Sequence, residues 1–189
     1  MGAITIERQQ ERRDFFFKAS FYVWCFFVCS FVGWIYECIW KSILNEAFTN
    51  PGFLKGFYLP IYGFGGLILI FSLKSLLTKT MKVGKLNVRP IVVFLLIMLI
   101  VSVVEYIASV VLELIYDKRW WDYSNADKLH INGRVSLRNS SILASLGFVF
   151  VYIVFPFLKK MCRKIHPTVM KIVAVIIAVI MGIDFIISC

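Results

Sequence analysis

Glu105 and Glu113 lie inside an apolar run from Pro90 to Ile115 that is long enough to cross a bilayer. An ionised carboxylate near the middle of a membrane helix costs roughly 2.5 to 3.5 kcal/mol on the insertion scale, so a partner charge, a bound ion or a shifted pKa must offset it. Ser102, Glu105, Ser109 and Glu113 are spaced by three, four and four. That spacing places them in one stripe of a helix, facing protein or water and not lipid. Two such carboxyls can bind a cation, relay protons or serve as acid and base, because desolvation raises a carboxyl pKa and a nearby guanidinium lowers it. The structural alternative is an ion pair, or a protonated Glu bonded between helices. Arg134, in Asn132-Gly133-Arg134, is the counter-ion candidate, since its planar fork grips a carboxylate or a phosphate through two hydrogen bonds. Its structural alternative is to pin the loop by pairing with Asp122 or Glu113. Asp122 stands among Trp120, Trp121 and Tyr123. Those aromatics fit the belt that sits at headgroup level, whereas Asp122 is placed to orient Arg134 or line a cavity mouth.

The elements that must position these groups are membrane helices. With 60% hydrophobic and 16% aromatic residues, the chain leaves the range of soluble globular domains. A spanning helix needs about 20 mostly apolar residues, and the sequence offers five such runs: 19–40, 57–77, 91–115, 140–158 and 168–188. The fold class expected is all-α, a polytopic transmembrane helical bundle. Residues 1–18 form a basic N-terminal segment, 19–188 a single transmembrane domain, and 116–139 its long outward loop. Pro51, Gly52, Gly56, Pro60, Gly63, Gly65 and Gly66 crowd the start of the second span. Glycine and proline weaken regular helix, so this start is expected to be broken or re-entrant, or else closely packed against a neighbour.

Lys and Arg set the orientation. Four precede the first span, five lie in the last turn of the second span or between it and the third, and five between the fourth span and the first turn of the fifth, against seven on the other side. The positive-inside rule makes the first three groups cytoplasmic, with the N terminus inside, the C terminus outside, and the chain multi-pass in the cell membrane. Glu37, Glu105, Glu113 and Asp184 then all fall at or above the midplane. They imply an outward-facing polar cavity for an ion or small polar solute. The net charge of +10 is mostly this topological bias, with attraction for anionic membrane lipids. No nucleic-acid motif accompanies it.

Cys25, Cys29, Cys38, Cys162 and Cys189 show no C-x-x-C spacing, so neither a metal site nor a disulfide framework is expected. No cofactor motif is present: Gly-rich phosphate loops and H-E-x-x-H are both missing. That excludes a soluble ATPase or a zinc hydrolase. Three readings of function remain, namely a transport component, a non-catalytic assembly or sensing subunit, and a membrane-embedded enzyme acting on a lipid-linked or phosphate-bearing substrate. No catalytic residue is assigned.

Gly33-Trp34-Ile35-Tyr36-Glu37, Gly52-Phe53-Leu54-Lys55-Gly56 with Pro60-Ile61-Tyr62-Gly63-Phe64-Gly65, Glu105-Tyr106, and Trp121-Asp122-Tyr123-Ser124 with Asn132-Gly133-Arg134 resemble the CmpB-like family. Its members are labelled type IV ABC-transporter permeases, and the similarity covers roughly Trp34 to Gly147. The resemblance implies a multi-span membrane protein that pairs with a separate ATPase subunit. It adds Tyr62 to the candidate cavity of Glu37, Glu105, Glu113, Asp122, Asn132 and Arg134. Phe57 departs from the family pattern, where Pro is expected. Five spans are few for a complete pathway, so a homodimer or a second subunit would complete it.

Overall fold

The computed structural model describes residues 2–45, 51–52, 54–83 and 86–188. Asn50 and Phe53 of the loop after the first span, and Cys189, lie outside the described residues. The fold is all-α apart from two short hairpins. Its elements are α1 (Gly2–Asn45), α2 (Pro60–Thr78), the hairpin β1 (Lys82–Val83) and β2 (Leu86–Asn87), and α3 (Arg89–Tyr116). They continue with the hairpin β3 (His130–Ile131) and β4 (Val135–Ser136), α4 (Leu137–Val149), a π-helical turn (Phe150–Val154), α5 (Phe155–Cys162) and α6 (Pro167–Ser188).

Among the described residues, five stretches are long and apolar enough to cross a membrane: Phe15–Ile43, Pro60–Thr78, Arg89–Tyr116, Leu137–Cys162 and Pro167–Ser188. Each contains most of an expected span and differs at its ends for a local reason. The second starts at Pro60, three residues later than expected, because the missing N–H of proline is harmless in a first turn and residues 54–59 are not helical. Phe57 stays in that stretch and sets its ring edge-on to Trp34, 5.1 Å between centroids. The fourth starts earlier, at Leu137, because Ser136 caps it: its Oγ accepts from Asn139 N at 3.2 Å. The π-helical turn in that same run lies just ahead of Pro156. Proline removes the i→i−4 bond to Tyr152 and crowds that carbonyl, and a widened turn relieves both.

The chain divides into two compact units, Met1–Leu67 with Phe155–Cys189, and Ile68–Val154. In the first unit α6 packs along α1. Lys171, near the start of α6, lies over the Phe16 ring at 4.5 Å. Asp184, near its end, accepts from Gly56 N and Tyr58 OH, and Leu59 N of that stretch donates to Ser30 O of α1. The two helices therefore run in the same direction. Gly33 and Gly63 let the start of α2 close on α1. A Cβ on Gly33 would sit 2.1 Å from Tyr62 Cγ, and one on Gly63 would sit 2.4 Å from Ser30 Oγ. In the second unit the core is Leu69, Leu73, Val93, Ile97, Ala144 and Val151. Lipid tails are as apolar as these side chains, so the contact is held by close packing and by the polar bonds beside it.

Candidate functional site

The polar stripe of α3 meets α4 and the loop that precedes it, residue by residue. Ser102 Oγ bonds to Met98 O at 2.8 Å and lies 3.0 Å from Ser140 Oγ on α4. One turn further, Glu105 is buried, and its Oε1 accepts from Asn139 Nδ2 at 2.7 Å and Tyr123 OH at 2.9 Å. Hydrogen bonds to a charged group contribute about 1.5 to 3 kcal/mol each, so these two donors are enough to offset the insertion penalty. Ser109, also buried, accepts from Arg134 Nη1 at 2.9 Å. The other arm of the same guanidinium, Nη2, pairs with Glu113 Oε2. Of the two partners open to Arg134 in the sequence, Glu113 is the one it takes. Asp122 pairs instead with Arg119, at 3.1 Å, and Arg119 Nε stands 3.8 Å from Glu113 Oε1.

The β3–β4 hairpin presents Arg134. Asn132 and Gly133 both have positive φ, 53° and 68°, the conformation that a tight Asn-Gly turn requires. A Cβ on Gly133 would sit 2.3 Å from both Asp122 Oδ1 and Ser124 Oγ. Tyr123 N donates to Gly133 O at 2.7 Å, and Trp121 Nε1 donates to Arg134 O at 3.0 Å. The segment 121–124 is thus strapped over the turn, and it delivers the Tyr123 hydroxyl to Glu105. Asn132 Nδ2 donates to Tyr106 OH at 3.2 Å, and the Arg134 guanidinium lies 6.0 Å from the Tyr106 ring centroid.

Two loop carboxylates hold this strap. Asp127 Oδ2 accepts from Ser136 Oγ at 2.5 Å and from Arg138 N at 3.3 Å, and the Ser136 hydroxyl is the main reason its pKa lies below the usual carboxylate range. Asp122 is lowered to about 2, first by the Ser124 hydroxyl, then by Ser124 N and the Arg119 guanidinium. A carboxyl whose folded pKa is depressed stabilises the fold above its unfolded pKa, near 4, and loses that contribution as pH falls through the folded value. The loop is therefore expected to keep its amide hydrogen-exchange protection from pH 8 down to about 5 and to lose it between about 4 and 2. Asp122→Asn should remove part of that acid dependence.

Glu37 and Tyr62 belong to the first unit, where Tyr62 OH donates to Glu37 Oε1 at 2.7 Å. Of the residues singled out in the sequence, Glu105, Glu113, Asp122, Asn132 and Arg134 lie together in the second unit. Sequence reasoning missed Asn139 as a ligand of Glu105. Its signal was its place in the first turn of the helix that Ser136 caps.

The family model described as "Putative ABC-transporter type IV" matches residues 24–189. The chain belongs to this CmpB family. The match extends beyond the Trp34–Gly147 region that carries the resemblance, and takes in α5 and α6. No curated protein and no solved structure matches the chain. Family membership and five membrane-length helices make it a multi-pass membrane protein.

Proposed function

We propose that this CmpB-family chain is the membrane-spanning component of an ABC-type transporter in the cell membrane, coupled to a separate ATPase subunit. In this reading the N terminus is cytoplasmic and the C-terminal end of α6 lies outside. Glu105, Glu113, Asp122, Asn132 and Arg134 border an outward-facing polar path for an ion or small polar solute. A second copy or a second subunit completes the path.

One observation carries the reading beyond the family label: the continuous polar stripe from Ser102 to Glu113 on a membrane-length helix, with a buried carboxylate at Glu105. Polar groups at that depth mark solute paths more often than lipid-facing surfaces. The test is to purify the tagged chain from its own host in mild detergent and weigh the intact complex by native mass spectrometry. A stoichiometric ATPase is expected, and a chain that comes through alone overturns the coupling. Glu105→Gln is then expected to abolish complementation of a deletion strain at unchanged abundance. Unchanged complementation would remove Glu105 from the mechanism.

A second reading has support of its own. The Arg134 guanidinium is divided between Ser109 and Glu113, and Glu105 takes donors from both the loop and α4. That is also the pattern of a subunit whose buried polar groups specify helix contacts. In that case charge-removing variants lose abundance first.

A further inference from the structure

Lys159 and Lys160 fall in the last turn of α5, and the backbone keeps winding beyond it. Arg163 N donates to Lys159 O, Lys164 N to Met161 O and Ile165 N to Cys162 O. The first bond sets Arg163 one helical turn beyond Lys159, and the two tighter bonds carry Lys164 round the same end of the helix, four residues after Lys160. All four cations are exposed, while Leu158 and Cys162 of the same turn are buried. Cations near a helix C-terminus complement its carbonyls, which accounts for Lys159 and Lys160 but not for the two that follow. Like charges at i,i+4 repel, so the arrangement is stabilised only when an anion joins it.

Two features fix where that anion comes from. Only residues 163–166 separate two membrane-length helices, so the cluster cannot leave the membrane surface. Two more cations lie in the same unit: Lys171 over the Phe16 ring, and exposed Lys18 on α1. The pairing of Phe21 with Phe155, 5.8 Å between centroids, holds α1 against the start of α5. Among the described side chains of residues 15–36 and 155–183 there is no acid.

We infer that the turn between α5 and α6 is a binding site for the phosphodiester headgroup of an anionic phospholipid, with Arg163 gripping the phosphate and Lys159, Lys160 and Lys164 surrounding it. The guanidinium supplies paired donors to phosphate oxygens, and the lysines act as point charges.

The test titrates the full chain in neutral detergent with phosphatidylglycerol, and in parallel with phosphatidylcholine of the same acyl chains, read by native mass spectrometry. Phosphatidylglycerol is expected to be retained preferentially. Each basic residue near a membrane surface contributes about fivefold, so Lys159→Gln/Lys160→Gln/Arg163→Gln/Lys164→Gln should weaken it more than about 100-fold and weaken phosphatidylcholine, whose choline offsets the same phosphate charge, far less. Lys159→Arg/Lys160→Arg/Lys164→Arg should keep the preference. If the quadruple variant does not fold, Arg163→Gln alone should still show the loss of about fivefold. Equal retention of the two lipids overturns the inference, as does an equal loss in Lys55→Gln/Lys118→Gln/Lys128→Gln, which removes charge elsewhere. A quadruple variant that keeps its lipid preference but sheds a co-purifying soluble protein overturns it too, and makes the turn a protein-docking surface.

Discussion

Gly33→Ala should destabilise the first unit by about 3 kcal/mol, the upper end of the range for overpacking. The added methyl would lie 2.1 Å from Tyr62 Cγ, 2.4 Å from Cδ2 and 2.6 Å from Cβ. A rotamer change can swing Cγ and Cδ2 aside, but Cβ moves only with the backbone, so its 2.6 Å contact still forces the start of α2 off α1. That movement stretches the bond from Tyr62 OH to Glu37 and the one from Leu59 N to Ser30 O. Gly65→Ala is the control. A Cβ there meets nothing within 4 Å, and replacing a helical glycine with alanine gains up to about 1 kcal/mol. Equilibrium unfolding in mixed micelles, followed by tryptophan fluorescence, should move the two variants in opposite directions. Equal midpoints for Gly33→Ala and the wild type would mean that α2 does not close on α1. Trimming the ring with Tyr62→Ala should rescue Gly33→Ala only in part, because the Tyr62 Cβ is itself in the way.

How much of this could be read from the chain depends on the range of the interaction. The stripe of Ser102, Glu105, Ser109 and Glu113 is legible because helical period alone brings the four to one face, and a carboxylate in an apolar run forces that face toward protein. Spans are legible because length and apolarity are local properties. Partners are less so. Nothing periodic says that Tyr123, eighteen residues on and placed among belt aromatics, returns to Glu105. That return depends on the positive φ of Asn132 and Gly133 and on the Trp121 indole bonded to Arg134 O. Asp184 was visible as an acid near the end of the last span, but the backbone amide and phenol that receive it lie 128 and 126 residues earlier. The π-helical turn before Pro156 needed knowledge that the helix continues through the proline instead of ending there.

Arg134→Ala is expected to cost about 2 to 3 kcal/mol. Breaking a buried ion pair typically costs about 3 to 5, and the estimate is reduced because the Glu113 side chain is 35% exposed while that of Arg134 is 14% exposed. The loss has identifiable parts. Ser109 and Glu113 lose their donor, and the Arg119 guanidinium, 3.8 Å away, is a weak replacement. Replacing both partners has a different outcome, since exchanging an ion pair for apolar groups of similar volume is often close to neutral. Arg134→Met/Glu113→Leu should therefore recover most of the stability lost in Arg134→Ala, and most of its abundance in the membrane. That recovery makes the double variant a test of function as well as of packing. If the pair only pins the β3–β4 hairpin to α3, a stable double variant will complement a deletion strain as the wild type does. If Glu113 and Arg134 border the path of a polar solute, the double variant will be abundant and folded, yet it will fail to complement, because the path has lost both of its charges.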